Sequence, residues 1–227
     1  MTPLKLTETV VVLTSFPDDL RAYLASRLLT GPMLGLLLLL LTAIWFPGFP
    51  DDVTTASLQV LLTVNLITMF RLWDDLADLP TDRTSKADRV LCRTSHETQF
   101  RWTCMCLGMT ALGMLMLMAP LHGVGFVCLS AAFLAYYRSS WRRVWQRVSY
   151  HLLICKYPCI LALVSYHQDG SLKPTQILLF SLTYLVLCIY EVVHDPERRA
   201  DLWCRMIAAC ECLAACVIVA CLAINFP

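Results

Sequence analysis

The sequence predicts an all-α, multi-pass transmembrane bundle of about seven helices. Three observations lead to the helical bundle. The chain of 227 residues is 58% hydrophobic and 15% charged, with a mean hydropathy of +0.62, whereas soluble domains average roughly 45–50% apolar and 25% charged. The apolar excess is gathered into runs of about twenty residues, long enough to cross a hydrocarbon core of roughly 30 Å. Sixteen of the eighteen lysines and arginines fall in the N-terminal flank and in alternate connections between those runs, the bias that marks a cytoplasmic face.

The expected spans lie at about 24–46, 53–73, 101–119, 121–138, 148–166, 175–194 and 203–225. The flank 1–19 carries Lys5, Glu8, Asp18 and Asp19. Its apolar stretch at 10–13 is too short for a cleavable signal peptide, so the first span is expected to direct its own insertion. Pro47, Gly48 and Pro50 separate the first span from the second, and Pro120 with Gly123 turns the third into the fourth. Gln168-Asp169-Gly170-Ser171 parts the fifth from the sixth. There is no internal repeat, so 1–227 is read as a single domain with its flank 1–19 in the cytoplasm.

The basic residues orient this chain. With the N-terminus inside, Lys5, Arg21 and Arg27 are cytoplasmic, as are six basic residues of the second-to-third connection and four of the fourth-to-fifth. Arg198, Arg199 and Arg205 follow the sixth span on the same side. Lys173 lies outside and Lys156 within a span. The expected location is the cell's inner membrane, with lipid as a partner. A net charge of +1 and the absence of a basic tail argue against nucleic acid. The twelve cysteines form no C-x2-C pair and have no spaced histidine. They read as small packing residues rather than as disulfides or a zinc site.

Three groups of residues can carry chemistry. Asp74, Asp78 and Asp82 are spaced i, i+4, i+8, which puts them on one helical face. Pro80 is expected to kink or end that helix near Leu79 and leave Asp82 in a loop. Close carboxylates repel, and a divalent cation removes the cost. Mg²⁺ suits the set, because it takes one or two carboxylates and completes its shell with water and phosphate oxygens. Glu191 and Asp195 form an i, i+4 pair before Pro196, on the same membrane face. Together the two clusters suit two metals flanking a diphosphate. The competing reading is a solvated loop whose acids pair with Arg71, Arg83 and Arg89.

The third group is basic. Lys156 is an intramembrane lysine, which by default marks a functional site; the alternative is snorkelling, or pairing with Glu211 of the seventh span. Arg71, Arg83, Arg89, Arg138 and Arg143 are candidates to grip phosphate oxygens. Trp73, Tyr136, Tyr137, Tyr150 and Tyr157 read as interfacial aromatics, some of which can face inward on a carbocation.

On these residues the chain resembles the UbiA superfamily of intramembrane prenyltransferases. The resemblance rests on Asp74-x3-Asp78-x3-Asp82, on the stretch Asp88-Arg89-Val90-Leu91-Cys92-Arg93-Thr94-Ser95, and on Glu191-x3-Asp195 in the order the family shows. It covers about residues 20 to 203. It implies a helical bundle around a central cavity capped on the cytoplasmic side. It also implies Asp74, Asp78 and Asp82 as ligands of Mg²⁺ and an isoprenyl diphosphate, with Glu191 and Asp195 holding a second Mg²⁺. Asp74, Asp78, Glu191 and Asp195 would then be catalytic, and Arg71, Arg83, Arg89, Arg143 and Lys156 would bind diphosphate. The family usually has nine helices, and Arg71, Val90 and Arg93 depart from its motifs. The expected activity is Mg²⁺-dependent prenyl transfer to an acceptor within the membrane. A terpene cyclase is the alternative that a shortened bundle favours, and a non-catalytic lipid-binding or partner subunit is the second. A homo-oligomer is a further expectation.

Overall fold

A computed structural model describes residues 15–46, 48–50, 52–139, 146–165 and 173–225, without the side chains of 146–148 and 225. Most of the flank 1–19, the Gln168-Asp169-Gly170-Ser171 turn and the Arg143 side chain lie outside the described residues. Among those described there are helices and no strand. Five helices are long and apolar enough to cross a membrane. They are α3 (Val53–Ser85), α5 (Glu97–Met118), α6 (Pro120–Arg138), α9 (Pro174–His194) and α11 (Leu202–Asn225).

The first and fifth expected spans are not straight helices. The first is a pair, α1 (Phe16–Arg27) and α2 (Gly31–Trp45), bent by 71°. Thr30 is extended at φ −101°, and Pro32 sits in the first turn of α2. Pro32 has no N–H to bond back into α1, so the helix restarts there. The fifth divides into α7 (Gln146–Ile154) and α8 (Lys156–Val164). Pro158 lies four residues after Ile154 and cannot donate to its carbonyl, which places the break. Two short helices complete the set, α4 (Val90–Arg93) and α10 (Pro196–Ala200).

α3 positions the site. Its 33 residues span about 50 Å at 1.5 Å each, some 20 Å more than a hydrocarbon core of about 30 Å. Its apolar N-terminal part matches the bilayer, and the surplus carries Asp74, Asp75, Asp78 and Asp82. Pro80 does not end the helix as the sequence led us to expect: α3 runs through it to Ser85. The proline removes one backbone hydrogen bond. Beyond it, Lys86 N–H donates to Asp82 O at 2.7 Å and Thr84 Oγ1 to Thr81 O at 2.7 Å. Ion pairs from Asp82 to Arg89 and from Arg83 to Glu97 tie this last turn to the neighbouring chain. Asp82 is therefore a helical residue, in line with Asp74 and Asp78.

The main core joins α2, α3, α5, α6, α8 and α9 around Leu40, Leu66, Phe70, Leu115, Ile160 and Leu161. Two smaller cores sit at the acid-bearing end. Tyr23, Leu72, Leu76, Leu79, Leu91 and Phe100 lock α1, α4 and α5 against one face of α3. Tyr150, Ile154, Cys188, Val192 and Cys204 join α7, α9 and α11. α5 and α6 meet closely at Gly123, where an added Cβ would lie 2.5 Å from Met116 Sδ. The most apolar windows of α5, α6 and α11 are each only 17% buried. Leu117, Leu121, Leu213 and Val217 stand exposed on them. Apolar surface this extensive is a liability in water and suits contact with lipid.

Candidate active site

The last three turns of α3 face the α9–α10 corner across a polar cavity of about 670 Å³. Its walls include Asp74, Asp78 and Asp82 on one side and Glu191 and Asp195 on the other. The helical register of α3 explains the first wall: Leu72, Leu76 and Leu79 turn into the core, so the face bearing Asp74, Asp78 and Asp82 is left to the cavity. The second wall is built by Pro196, which ends α9 and starts α10. Asp195 caps α10, its Oδ1 accepting the Glu197 N–H at 2.9 Å. Its Oδ2 accepts from Arg198 Nε at 2.9 Å. Burial works to raise the Asp195 carboxyl, but these hydrogen bonds outweigh it and hold the group below the usual carboxylate range.

Basic groups are threaded through the same walls. Arg27, Arg71, Lys86, Arg89 and Arg198 all line the cavity. Arg89 pairs with Asp82, and Arg198 lies 2.9 Å from Asp195 and 3.7 Å from Glu191. The Arg198 guanidinium also stacks 4.4 Å over the Tyr150 ring. Two cationic donors, Arg71 Nε and Arg198 Nη1, are buried with no hydrogen-bond partner. Such orphaned charged donors are costly, and an anion in the cavity would satisfy them.

Beside the polar cavity lies a mainly apolar pocket of about 640 Å³, lined by Met33, Leu36, Leu39, Ile154, Leu187 and the rings of Tyr150, Tyr157 and Tyr190. The two share Arg27, Arg71, Asp74, Leu153 and Glu191 as a common wall. Lys156 reaches this wall from α8. It is 2% exposed and pairs with Asp74, not with Glu211. Tyr137 donates its hydroxyl to the other Asp74 oxygen.

Of the residues singled out as diphosphate ligands, Arg71 and Arg89 line the polar cavity, and Lys156 lines the apolar pocket beside Asp74. Arg83 does not line either. It points away to Glu97, at 2.8 Å, and its side chain is 51% exposed. Arg138 is exposed at the end of α6. This contrast makes a prediction. Arg89→Ala is expected to raise KM for a diphosphate substrate about tenfold or more, the loss of one charge-assisted contact of roughly 1.5–3 kcal/mol. Arg83→Ala is expected to leave it within about twofold, an exposed pair being worth at most about 1 kcal/mol. Steady-state kinetics on both variants measures the difference.

Sequence reasoning passed over Asp75 with Arg27 and Tyr23. Asp75 is buried on the α1 side of the same cavity, accepting from Arg27 Nε at 3.0 Å, Arg27 Nη2 at 2.5 Å and the Tyr23 hydroxyl at 3.0 Å. Tyr23 and Arg27 are spaced i, i+4, a signal that one face of α1 carries both.

No protein-family model matches the chain, and the comparisons with curated proteins and solved structures also find no match. The site's chemistry therefore rests on its residues. Their donors are hard carboxylate oxygens, the type that Mg²⁺ accepts. Among the described residues, the acids of the cavity do not close to three ligand atoms within 4.8 Å of one another.

Proposed function

We propose that the chain is a multi-pass membrane enzyme of the UbiA type, a Mg²⁺-dependent prenyltransferase acting on an isoprenyl diphosphate. The observation that carries this reading is the junction of the two cavities. A polar chamber lined by eight acids and five basic groups shares a wall with an apolar pocket of similar size. That combination fits an amphiphile with a polyanionic head and a hydrocarbon tail.

In this reading Asp74, Asp78 and Asp82 would hold one Mg²⁺ and Glu191 and Asp195 another. Mg²⁺ bound there supplies charge that stabilises the departing diphosphate. Arg71, Arg89 and Arg198 hold the diphosphate oxygens through their guanidinium donors. The allylic C–O bond breaks with its electron pair leaving on the diphosphate, and the allylic cation remains in the apolar pocket. The pocket excludes water, and the faces of Tyr150, Tyr157 and Tyr190 offer the cation π density. An acceptor nucleophile then bonds to the allylic carbon and loses its proton. Lys156 holds the Asp74 carboxylate in place at the shared wall. The acid-bearing face is cytoplasmic, in the orientation that the basic residues favour.

The aromatic lining of the pocket also favours a second reading, in which the cation is closed on its own chain as in a terpene cyclase. Purified protein is incubated with Mg²⁺ and geranyl, farnesyl or geranylgeranyl diphosphate, with and without aromatic acceptors, and inorganic diphosphate and organic products are measured. Prenylated acceptor is the expected product. A cyclic product without acceptor replaces transfer by cyclisation. No diphosphate release from any donor rejects both, and leaves a lipid-binding or partner subunit.

A further inference from the structure

Away from the acid cavity, three helices bring three different ligand types to one point. α7 supplies His151, α9 supplies Cys188 and α11 supplies Glu211. Their ligand atoms all lie within 4.8 Å of one another, and among the described residues they are the group of His, Cys, Asp and Glu that does so. His151 Nδ1 is 3.4 Å from Cys188 Sγ and 3.5 Å from Glu211 Oε1. From these distances and the ligand chemistry, the structure assigns a transition-metal site, with Zn²⁺ as the ion that fits best, to His151, Cys188 and Glu211.

The distances are those of a tetrahedral ion's first shell. With Zn–S of about 2.3 Å and Zn–N and Zn–O of about 2.05 Å, tetrahedral angles separate N from S by about 3.6 Å and N from O by about 3.4 Å. The donor set of thiolate, imidazole and carboxylate selects a borderline-soft ion and disfavours Mg²⁺. The site is thus chemically distinct from the all-carboxylate chamber.

A second observation concerns Glu211. It is 8% exposed, and its Oε2 is buried with no hydrogen-bond partner. A carboxylate inside an apolar helix is costly unless something neutralises it. The 3.5 Å His151–Glu211 contact leaves Oε2 orphaned, whereas a divalent cation lowers the cost of both oxygens. The charges also balance. On binding, the Cys188 thiol releases its proton to solvent. One thiolate, one carboxylate and a neutral imidazole then bring the site with Zn²⁺ to zero net charge, the state best tolerated at membrane depth. The Tyr184 hydroxyl, 2.9 Å from the same imidazole nitrogen, or a water is available for a fourth position.

The consequence is structural. The ion ties α7, whose Leu153 walls both cavities, to α9 and α11. No zinc spacing exists in the sequence, because the three residues come from three separate helices.

The test does not depend on the prenyl reading, since it measures metal. Protein expressed with zinc is purified in detergent, washed with a weak chelator and analysed for metal by mass spectrometry. About one equivalent of Zn²⁺ per chain is expected. Cys188→Ser and Glu211→Gln are each expected to lower that at least tenfold, while Cys210→Ser, at an exposed cysteine of α11, keeps it. Unchanged zinc in the first two variants overturns the site, as does zinc-free wild type in micromolar free Zn²⁺. Because a ligand variant can misfold, Co²⁺ is also added to the intact apo-protein. A thiolate-to-cobalt charge-transfer band that Zn²⁺ displaces is expected, and its absence from monodisperse protein rejects the assignment.

Discussion

Asp74→Ala is expected to abolish diphosphate release and to destabilise the protein by about 3–5 kcal/mol, the usual cost of stripping one partner from a buried ion pair. Lys156 is 2% exposed, and Asp74 is the partner that neutralises it. Without the carboxylate, an ammonium stands alone in an apolar wall, and the Tyr137 hydroxyl loses its acceptor. The stability loss and the catalytic loss are separable. Asp74→Ala combined with Lys156→Met removes both charges and restores some volume, so most of the thermal stability is expected to return. Diphosphate release is not. Thermal unfolding in detergent and a diphosphate assay on the two variants read the two effects independently. Turnover by the double variant removes Asp74 from the chemistry. An unchanged melting temperature in the single variant shows that the buried pair does not hold the fold.

The second large effect is expected at Asp75, a buried acid at the α1 side of the polar cavity. Its carboxylate is 8% exposed and receives both Arg27 nitrogens and the Tyr23 hydroxyl, with Arg71 Nε at 3.7 Å. These contacts dock α1 on the end of α3. Asp75→Ala strands Arg27 half-buried, and a loss of about 3–5 kcal/mol is expected. Tyr23→Phe removes one hydrogen bond to a charged group and is expected to cost about 1.5 kcal/mol. Limited proteolysis adds the local readout: cleavage within α1 is expected to rise in Asp75→Ala well before global unfolding. Because Arg27 also lines the shared wall of the two cavities, the same variant is expected to raise KM. Equal stability and unchanged α1 protection in Asp75→Ala rule out this docking role.

How much of this was legible beforehand differs by element. The expected spans at about 53–73, 101–119, 121–138, 175–194 and 203–225 coincide with α3, α5, α6, α9 and α11. Hydropathy over twenty residues is a local property, and a helix satisfies its own backbone locally. The first and fifth spans came out broken because Pro32 and Pro158 interrupt backbone bonding inside apolar runs, which a hydropathy window does not register. Pro80 erred the other way. Of the kink or end expected there, the end does not occur: the ion pairs of Asp82 and Arg83 sit beyond it and extend α3.

The acids were visible by spacing because one helical turn brings i and i+4 together. Their cations were not. Arg27 and Asp75 are 48 residues apart, and Lys156 and Asp74 are 82 apart. The sequence offered Glu211 as a partner for Lys156, and only packing placed α8 against α3 and left Glu211 with His151 and Cys188.

By itself, then, the sequence determined what is local: helical spans set by apolar length, and an acidic face set by a four-residue repeat on one helix. The tertiary structure decided which charge meets which, that the polar chamber and the apolar pocket share a wall, and that three distant ligands converge. The physical reason is that backbone hydrogen bonding in a helix closes over four residues, whereas a cavity or an ion pair between helices exists only after their side chains have packed.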